Sequence, residues 1–206
     1  SWFVDFDGHT EFEDSEIGQI PKGWNVGNLE DISEIIMGQS PPGASYNEDG
    51  DGIIFFQGKT DFGDFFPTPV VYCISPKRFA EKNDVLFTVR APIAAINVAK
   101  ERCCIGRGLA SLRLKDNHGS FLYYLLKNSF DEWQKFESEG TVYGAVTKDN
   151  VCTFKIITPP PKTIISFNQI VDPLYYNIWK NNEQIQLLTK TRDALLPKLM
   201  SGEIRV

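Results

Sequence analysis

At 206 residues, 42% of them hydrophobic and 13% aromatic, the chain can bury one core of ordinary size and still leave an extended element. No apolar run approaches the roughly 18 residues that span a bilayer, and no signal-peptide pattern opens the chain, so no membrane contact and a soluble, cytoplasmic setting are expected. Cys73, Cys103, Cys104 and Cys152 lack the spacing of zinc or redox motifs and read as buried thiols, while His9 and His118 stand apart from any cluster. No metal or other cofactor is expected.

The net charge of −6 argues against nucleic acid only if it is spread evenly. It is not. Residues 1–50 hold eleven acids and one base, residues 51–161 fourteen bases and twelve acids, and residues 162–206 six bases and four acids. The middle of the chain is free to present a basic face.

In chain order, Trp2, Phe3 and Phe6 precede an acidic run from Glu11 to Glu16, which reads as a connector over residues 1–20 docked through its aromatics. Pro21-Lys22-Gly23-Trp24 is a turn that delivers a tryptophan to a core. Leu29, Ile32, Ile35 and Ile36 lead to Gly38, and a polar loop runs from Gln39 to Gly52. Short runs at Ile53–Phe56, Val70–Ile74, Asp84–Val89, Ala94–Ala99, Arg102–Ile105 and Leu109–Leu114 are broken by Gly, Pro and Asp, as strands are. Phe121 to Phe136 carries apolar residues at helical spacing and is expected to be one helix on the sheet. Gly140 to Asn150 reads as a loop, Val151–Thr158 as a last strand, and Pro159-Pro160-Pro161 as a stiff hinge.

Residues 162–201 then place Ile164, Phe167, Val171, Leu174, Ile178, Ile185, Leu188, Leu195 and Leu199 at alternating steps of three and four. This is a coiled-coil seam, interrupted by Asn181 and Arg192, on a helix roughly 60 Å long. Gly202 follows as its C-terminal cap. Pro173 is expected to kink the helix and Pro197 to loosen its last turn. The seam suits pairing with an equivalent helix, although a helix folded back on its own domain would show a similar pattern.

Catalytic signatures are thin. Thr158-Pro159-Pro160-Pro161 lacks the polar first and aromatic last residues of a base methyltransferase site, and Gly106-Arg107-Gly108 is too short to cradle a phosphate. Asp61 and Asp64 with Lys59 could be drawn as a nuclease site, but such sets arise by chance in a chain that is 23% charged. The chain reads as a binding module rather than an enzyme.

Several ordered motifs resemble one family. They are Ser15-Glu16-Ile17-Gly18, then Ile20-Pro21-Lys22-Gly23-Trp24, Gly38-Gln39-Ser40-Pro41, Asn83-Asp84-Val85-Leu86-Phe87, and the terminal run from Arg192 through Leu195-Leu196-Pro197-Lys198-Leu199-Met200-Ser201-Gly202 to Ile204. Their order and spacing are similar to those of the specificity subunits of type I restriction–modification systems. Asn83, Ala91 and Ala94 depart from that pattern, standing where glycines are common.

The resemblance implies an α+β fold: a mixed or antiparallel, β-rich target recognition domain with packed helices over residues 21–160, followed by a long coiled-coil helix over 161–206. It implies half of a two-domain subunit, either the carboxy-terminal half or a naturally split one. Expected partners are double-stranded DNA, methyltransferase subunits, the restriction subunit through the complex, and the equivalent helix of the other half or of a second copy. The recognition domain would read one part of a two-part target while the helix sets the spacing. Loop residues of base- and phosphate-binding type are Gln39, Ser40, Gln57, Lys59, Thr60, Arg90, Arg107, Thr141, Tyr143 and Lys148. Gln57, Lys59 and Thr60 are expected to read bases, and Arg90 and Lys148 to hold phosphates. A coiled-coil adaptor that binds only protein, and a metal-dependent nuclease, are the competing readings.

Overall fold

The computed structural model describes residues 3, 5–115, 119–139 and 145–204. The chain divides into two compact units, Ser1–Ile164 and Ile165–Val206.

The first unit opens with a hairpin, β1 (Phe12–Ser15) against β2 (Gly18–Pro21), in the acidic segment that the sequence presents as a bare connector. Hydrophobic periodicity is missing there because both strands are largely exposed; the Lys22–Glu11 ion pair at 2.8 Å closes the open end of the hairpin, and Lys155–Glu16 at 2.8 Å ties it to the rest of the unit. Before the hairpin, Phe3, Phe6 and His9 surround the buried Trp24, with ring centroids 5.8, 5.7 and 5.3 Å from it.

β3 (Asn25–Asn28) leads into α1 (Leu29–Ile32), a single turn, and then β4 (Ser33–Met37). β5 (Tyr46–Asn47), β6 (Ile53–Phe56), β7 (Val71–Cys73), β8 (Phe79–Ala80), β9 (Val85–Thr88), β10 (Ile96–Val98), β11 (Cys103–Ile105) and β12 (Leu109–Leu114) follow. Two sheets result. One is antiparallel, in the order β10-β9-β12-β4; the other runs β5-β7-β6-β11-β8, with β6 and β11 parallel. β9 is buried along its whole length, which explains its unbroken apolar run. Leu86 packs with Phe56, Ile105 and Leu109 between the sheets. Phe87 meets Trp133, ring centroids 4.9 Å apart, on the helical layer.

That helical layer is two helices rather than one: α2 (Gly119–Asn128) and α3 (Phe130–Glu139). The break falls at Ser129, whose hydroxyl donates to the Leu125 carbonyl at 3.0 Å. A second correction concerns Val151–Thr158. Val151 and Cys152 belong to α4 (Lys148–Cys152), capped by Thr147, whose Oγ1 accepts the Asn150 N–H; only Lys155–Thr158 forms β13, antiparallel to β3.

The motif residue Asp84 sits just before β9, almost fully buried. Its carboxylate accepts Arg113 Nε at 2.6 Å and Nη2 at 2.8 Å, Ser111 Oγ at 2.6 Å and the Glu81 N–H at 2.8 Å. Asn83 and Ala94 have φ of +72° and +64°. Such left-handed backbone suits glycine and costs other L-residues, asparagine less than alanine.

α5 (Pro161–Met200) is one helix of 40 residues, with Pro173 and Pro197 inside it. Among the seam residues, Leu174, Ile178, Ile185, Leu188, Leu195 and Leu199 are exposed, from 36% at Ile178 to 67% at Leu188. Gly202, at φ +74°, donates to the Leu199 carbonyl, and Ile204 N–H returns to Lys198 O at 3.2 Å, closing the helix. No described helix is long and apolar enough to cross a membrane.

Candidate nucleic-acid interface

Three chain segments meet at one end of the sheets and enclose a cleft of about 490 Å³. Each is held by a side chain gripping backbone. The first leaves β6 at Gln57. Gln57 N–H and Gly58 N–H both donate to Asp61 Oδ2, at 2.6 and 3.2 Å, closing a 3-10 turn over Lys59–Asp61. Its continuation is clamped by the buried Asn97, whose Oδ1 accepts the Gly63 N–H and whose Nδ2 donates to the Gly63 carbonyl, at 3.1 and 2.9 Å.

The second segment leaves β9. Thr88 Oγ1 donates to the Pro92 carbonyl at 2.7 Å and accepts the Ala95 N–H at 2.9 Å, closing the loop that carries Arg90. The third is the Gly106-Arg107-Gly108 turn between β11 and β12. Arg107 N–H donates to Ser40 Oγ at 3.2 Å, and Gln39 N–H to the Ile105 carbonyl at 3.0 Å, so the Gln39–Ser40 loop braces it. Gly108 lies so close to the Gln57 carbonyl that no Cβ fits there, and Gly38 stands likewise against Gly106. These glycines permit the close approach of three backbones.

The cleft brings together Gln57, Lys59, Thr60, Arg90 and Arg107 from the ten loop residues expected to touch DNA. Gln39 and Ser40 support the Arg107 turn without lining the cleft. Lys148 is exposed at the start of α4 and also lies outside the lining; the bridge between Arg90 and Ala145 brings its segment alongside. Thr141 and Tyr143 lie outside the described residues. Among the described residues Lys59, Arg90 and Arg107 make no ion pair, whereas Arg113 and Arg102 do. Three exposed cations are thus available to an anionic ligand.

Sequence reasoning missed the rest of the lining. Tyr46 stacks on Phe55, centroids 4.7 Å apart at 21°, and its hydroxyl donates to the Pro41 carbonyl at 2.8 Å. Burial pushes the Tyr46 hydroxyl above its ordinary range. Asp61 and Thr88 were also overlooked as supports, since side-chain-to-backbone clamps leave no periodic pattern. Of the Asp61, Asp64 and Lys59 set drawn for the nuclease reading, Asp61 has its Oδ2 engaged by two backbone N–H groups. Among the described residues no group of three His, Cys, Asp or Glu side chains is arranged to hold a metal ion.

The family model of the type I restriction modification DNA specificity domain matches residues 21–189. The chain belongs to this family. Over 204 residues it is 37% identical to a putative type I restriction enzyme MjaX specificity subunit of Methanocaldococcus jannaschii, covering 96% of this chain and 47% of that protein. The MjaIX specificity subunit of the same organism is 29% identical over 222 residues, covering 51% of that protein. The crystal structure of the HsdS subunit from Thermoanaerobacter tengcongensis superposes with a TM-score of 0.67 at 35% identity, over 94% of this chain and 48% of that one. The specificity-domain chain therefore spans about half the length of the curated relatives it matches.

Proposed function

We propose that this specificity-domain chain reads one half of a bipartite DNA target for a type I restriction–modification complex, and that it carries no catalytic step itself. The observation that carries the reading is the cleft, where one end of the sheets presents Lys59, Arg90 and Arg107, without ion pairs among the described residues, beside Gln57 and Thr60. Guanidinium and ammonium groups hold phosphates and bind guanine edges, while an amide such as that of Gln57 matches adenine. In this reading Gln57, Lys59 and Thr60 meet base edges, and Arg90 and Lys148 meet the backbone. Residues 1–20 act as a connector, 21–160 as the recognition domain and 161–206 as the spacer helix.

The exposed seam of α5 is read as the surface that pairs with an equivalent helix, from the other half of a longer subunit or from a second copy. The methyltransferase subunits dock on that assembly and the restriction subunit joins through them. A cytoplasmic location, with access to DNA, belongs to the same reading. The deciding experiment is the double substitution Lys59→Ala with Arg90→Ala in the assembled complex, measured by duplex binding over a range of salt. The expected result is weaker binding and a salt slope shallower by about one, from the phosphate contact of Arg90. Unchanged affinity and slope would refute the cleft as the DNA surface.

A further inference from the structure

Among the described residues Asp61 is the one acid lining a cleft whose other charged lining residues, Lys59, Arg90 and Arg107, are cations. On a surface that meets phosphate, a carboxylate opposes binding. Its hydrogen bonds supply a reason for its presence. β6 pairs with β11 only through Phe55 and Phe56, so the next two N–H groups, those of Gln57 and Gly58, leave the ladder. Asp61 Oδ2 takes both, at 2.6 and 3.2 Å, and the Asp61 carbonyl accepts the Thr68 N–H at 2.8 Å. The side chain thus grips two backbone N–H groups and, with the Asp61 N–H to Gly58 carbonyl and Phe62 N–H to Lys59 carbonyl bonds, closes the turn that carries three candidate DNA contacts, Gln57, Lys59 and Thr60.

We infer that Asp61 is the positioning residue of the reading loop: it gives up some attraction for phosphate in order to fix where Gln57 and Thr60 meet the bases. The inference rests on the DNA-reading function proposed above. It gives Asp61 opposite effects on two quantities. Its charge lowers affinity for any duplex, while its hydrogen bonds raise discrimination between duplexes. A group that only stabilised the fold would not separate the two. Charged acceptors bind N–H groups about twice as strongly as neutral ones, so an amide is only a partial substitute.

The test uses the assembled complex with wild type, Asp61→Asn, Asp61→Ala and Asp64→Asn. Asp64 is exposed and outside the cleft lining, and its substitution removes an equal charge nearby. Binding is measured for the duplex methylated by the complete system and for a random duplex. Asp61→Asn is expected to bind random duplex about threefold more tightly at low salt. Its preference for the methylated sequence should fall about tenfold, and that of Asp61→Ala further. Asp64→Asn should leave the preference unchanged. If Asp61→Asn binds random duplex more tightly with its preference intact, Asp61 acts through charge alone and positioning is refuted. Unchanged binding throughout refutes it as well, and so does loss of cooperative thermal unfolding in Asp61→Asn, which would make the residue a fold determinant. A wild type that does not prefer the methylated sequence sinks the DNA reading itself, an outcome distinct from these.

Discussion

Arg113 reaches both carboxylate oxygens of the buried Asp84, Nε to Oδ1 at 2.6 Å and Nη2 to Oδ2 at 2.8 Å, tying β12 to the start of β9. The Asp84 side chain is 1% exposed and that of Arg113 32%, so the two ends of the pair are unequal. The attraction of Asp84 holds the guanidinium proton more firmly than usual. Removing the arginine strands a buried charge, which typically costs about 3–5 kcal/mol. Arg113→Leu should therefore lower the urea midpoint sharply, and adding Asp84→Asn should restore part of the loss. Strictly additive effects in that double-mutant cycle would mean the pair is not coupled.

Two glycines at the cleft should differ in their tolerance of a methyl group. A methyl group at Gly108 meets the Gln57 carbonyl, so Gly108→Ala forces two segments apart; about 1–3 kcal/mol of stability should go, along with duplex binding. At Gly58 the backbone is extended and the space is open. Gly58→Ala should leave stability within about 0.5 kcal/mol of the parent. Thermal unfolding of the two variants side by side decides the matter.

Ala94 holds φ +64° with a Cβ that glycine would lack. The left-handed conformation costs an L-residue roughly 1–2 kcal/mol, and Asn tolerates it better than Ala. Ala94→Gly should accordingly stabilise the protein by up to about 1 kcal/mol, while Asn83→Gly should be close to neutral. A lower denaturation midpoint for Ala94→Gly would show that the methyl contacts of this buried residue outweigh the strain.

All four cysteines are buried, and burial raises the Cys103, Cys104 and Cys152 thiols above their ordinary value near 9. Next to burial, the Asp84 charge is the strongest influence on Cys103. The unfolded chain releases these protons first as pH rises. Their contribution is thus intact below about pH 9 and is lost at higher pH, by up to about 1.4 kcal/mol per unit for each thiol. Stability measured from pH 7 to pH 10.5 should be flat and then fall. A thiol reagent should react rapidly with four groups in urea and slowly without it.

Much of this fold can be read from residue order alone. Leu109–Leu114 and Ile53–Phe56 form strands over the bounds that their apolar runs suggest, because each run follows a glycine, Gly108 or Gly52, and ends at an exposed polar residue, Lys115 or Gln57. α4 was hidden because Val151-Cys152 looks like a strand start; the Thr147 cap with Asn150 three residues on was the local sign, weaker than the usual Glu or Gln. The hairpin at Phe12–Pro21 has too little buried surface to leave a pattern. At the cleft, cations and amides stand out by residue type. Their supports, Asp61, Thr88 and Asn97, act through backbone contacts that only the folded chain creates.

The seam of α5 makes the last prediction. Leu174, Ile178, Ile185, Leu188, Leu195 and Leu199 recur at coiled-coil spacing and are exposed, a run of apolar surface that water disfavours. Pairing would remove this remaining apolar area from water, a gain of roughly 25 cal/mol per Å² that must exceed the entropy lost on association. Leu188→Lys with Leu195→Lys should shift the isolated chain to a smaller species in light scattering, while near-ultraviolet circular dichroism of the first unit stays the same. Inserting seven residues after Leu188 keeps the seam in phase and lengthens the helix by about 10 Å, close to three base pairs of duplex. In the complete system that insertion should lengthen the spacer of the methylated sequence and leave both half-sites as they were. A changed half-site would place base reading on the helix, contrary to the roles assigned above.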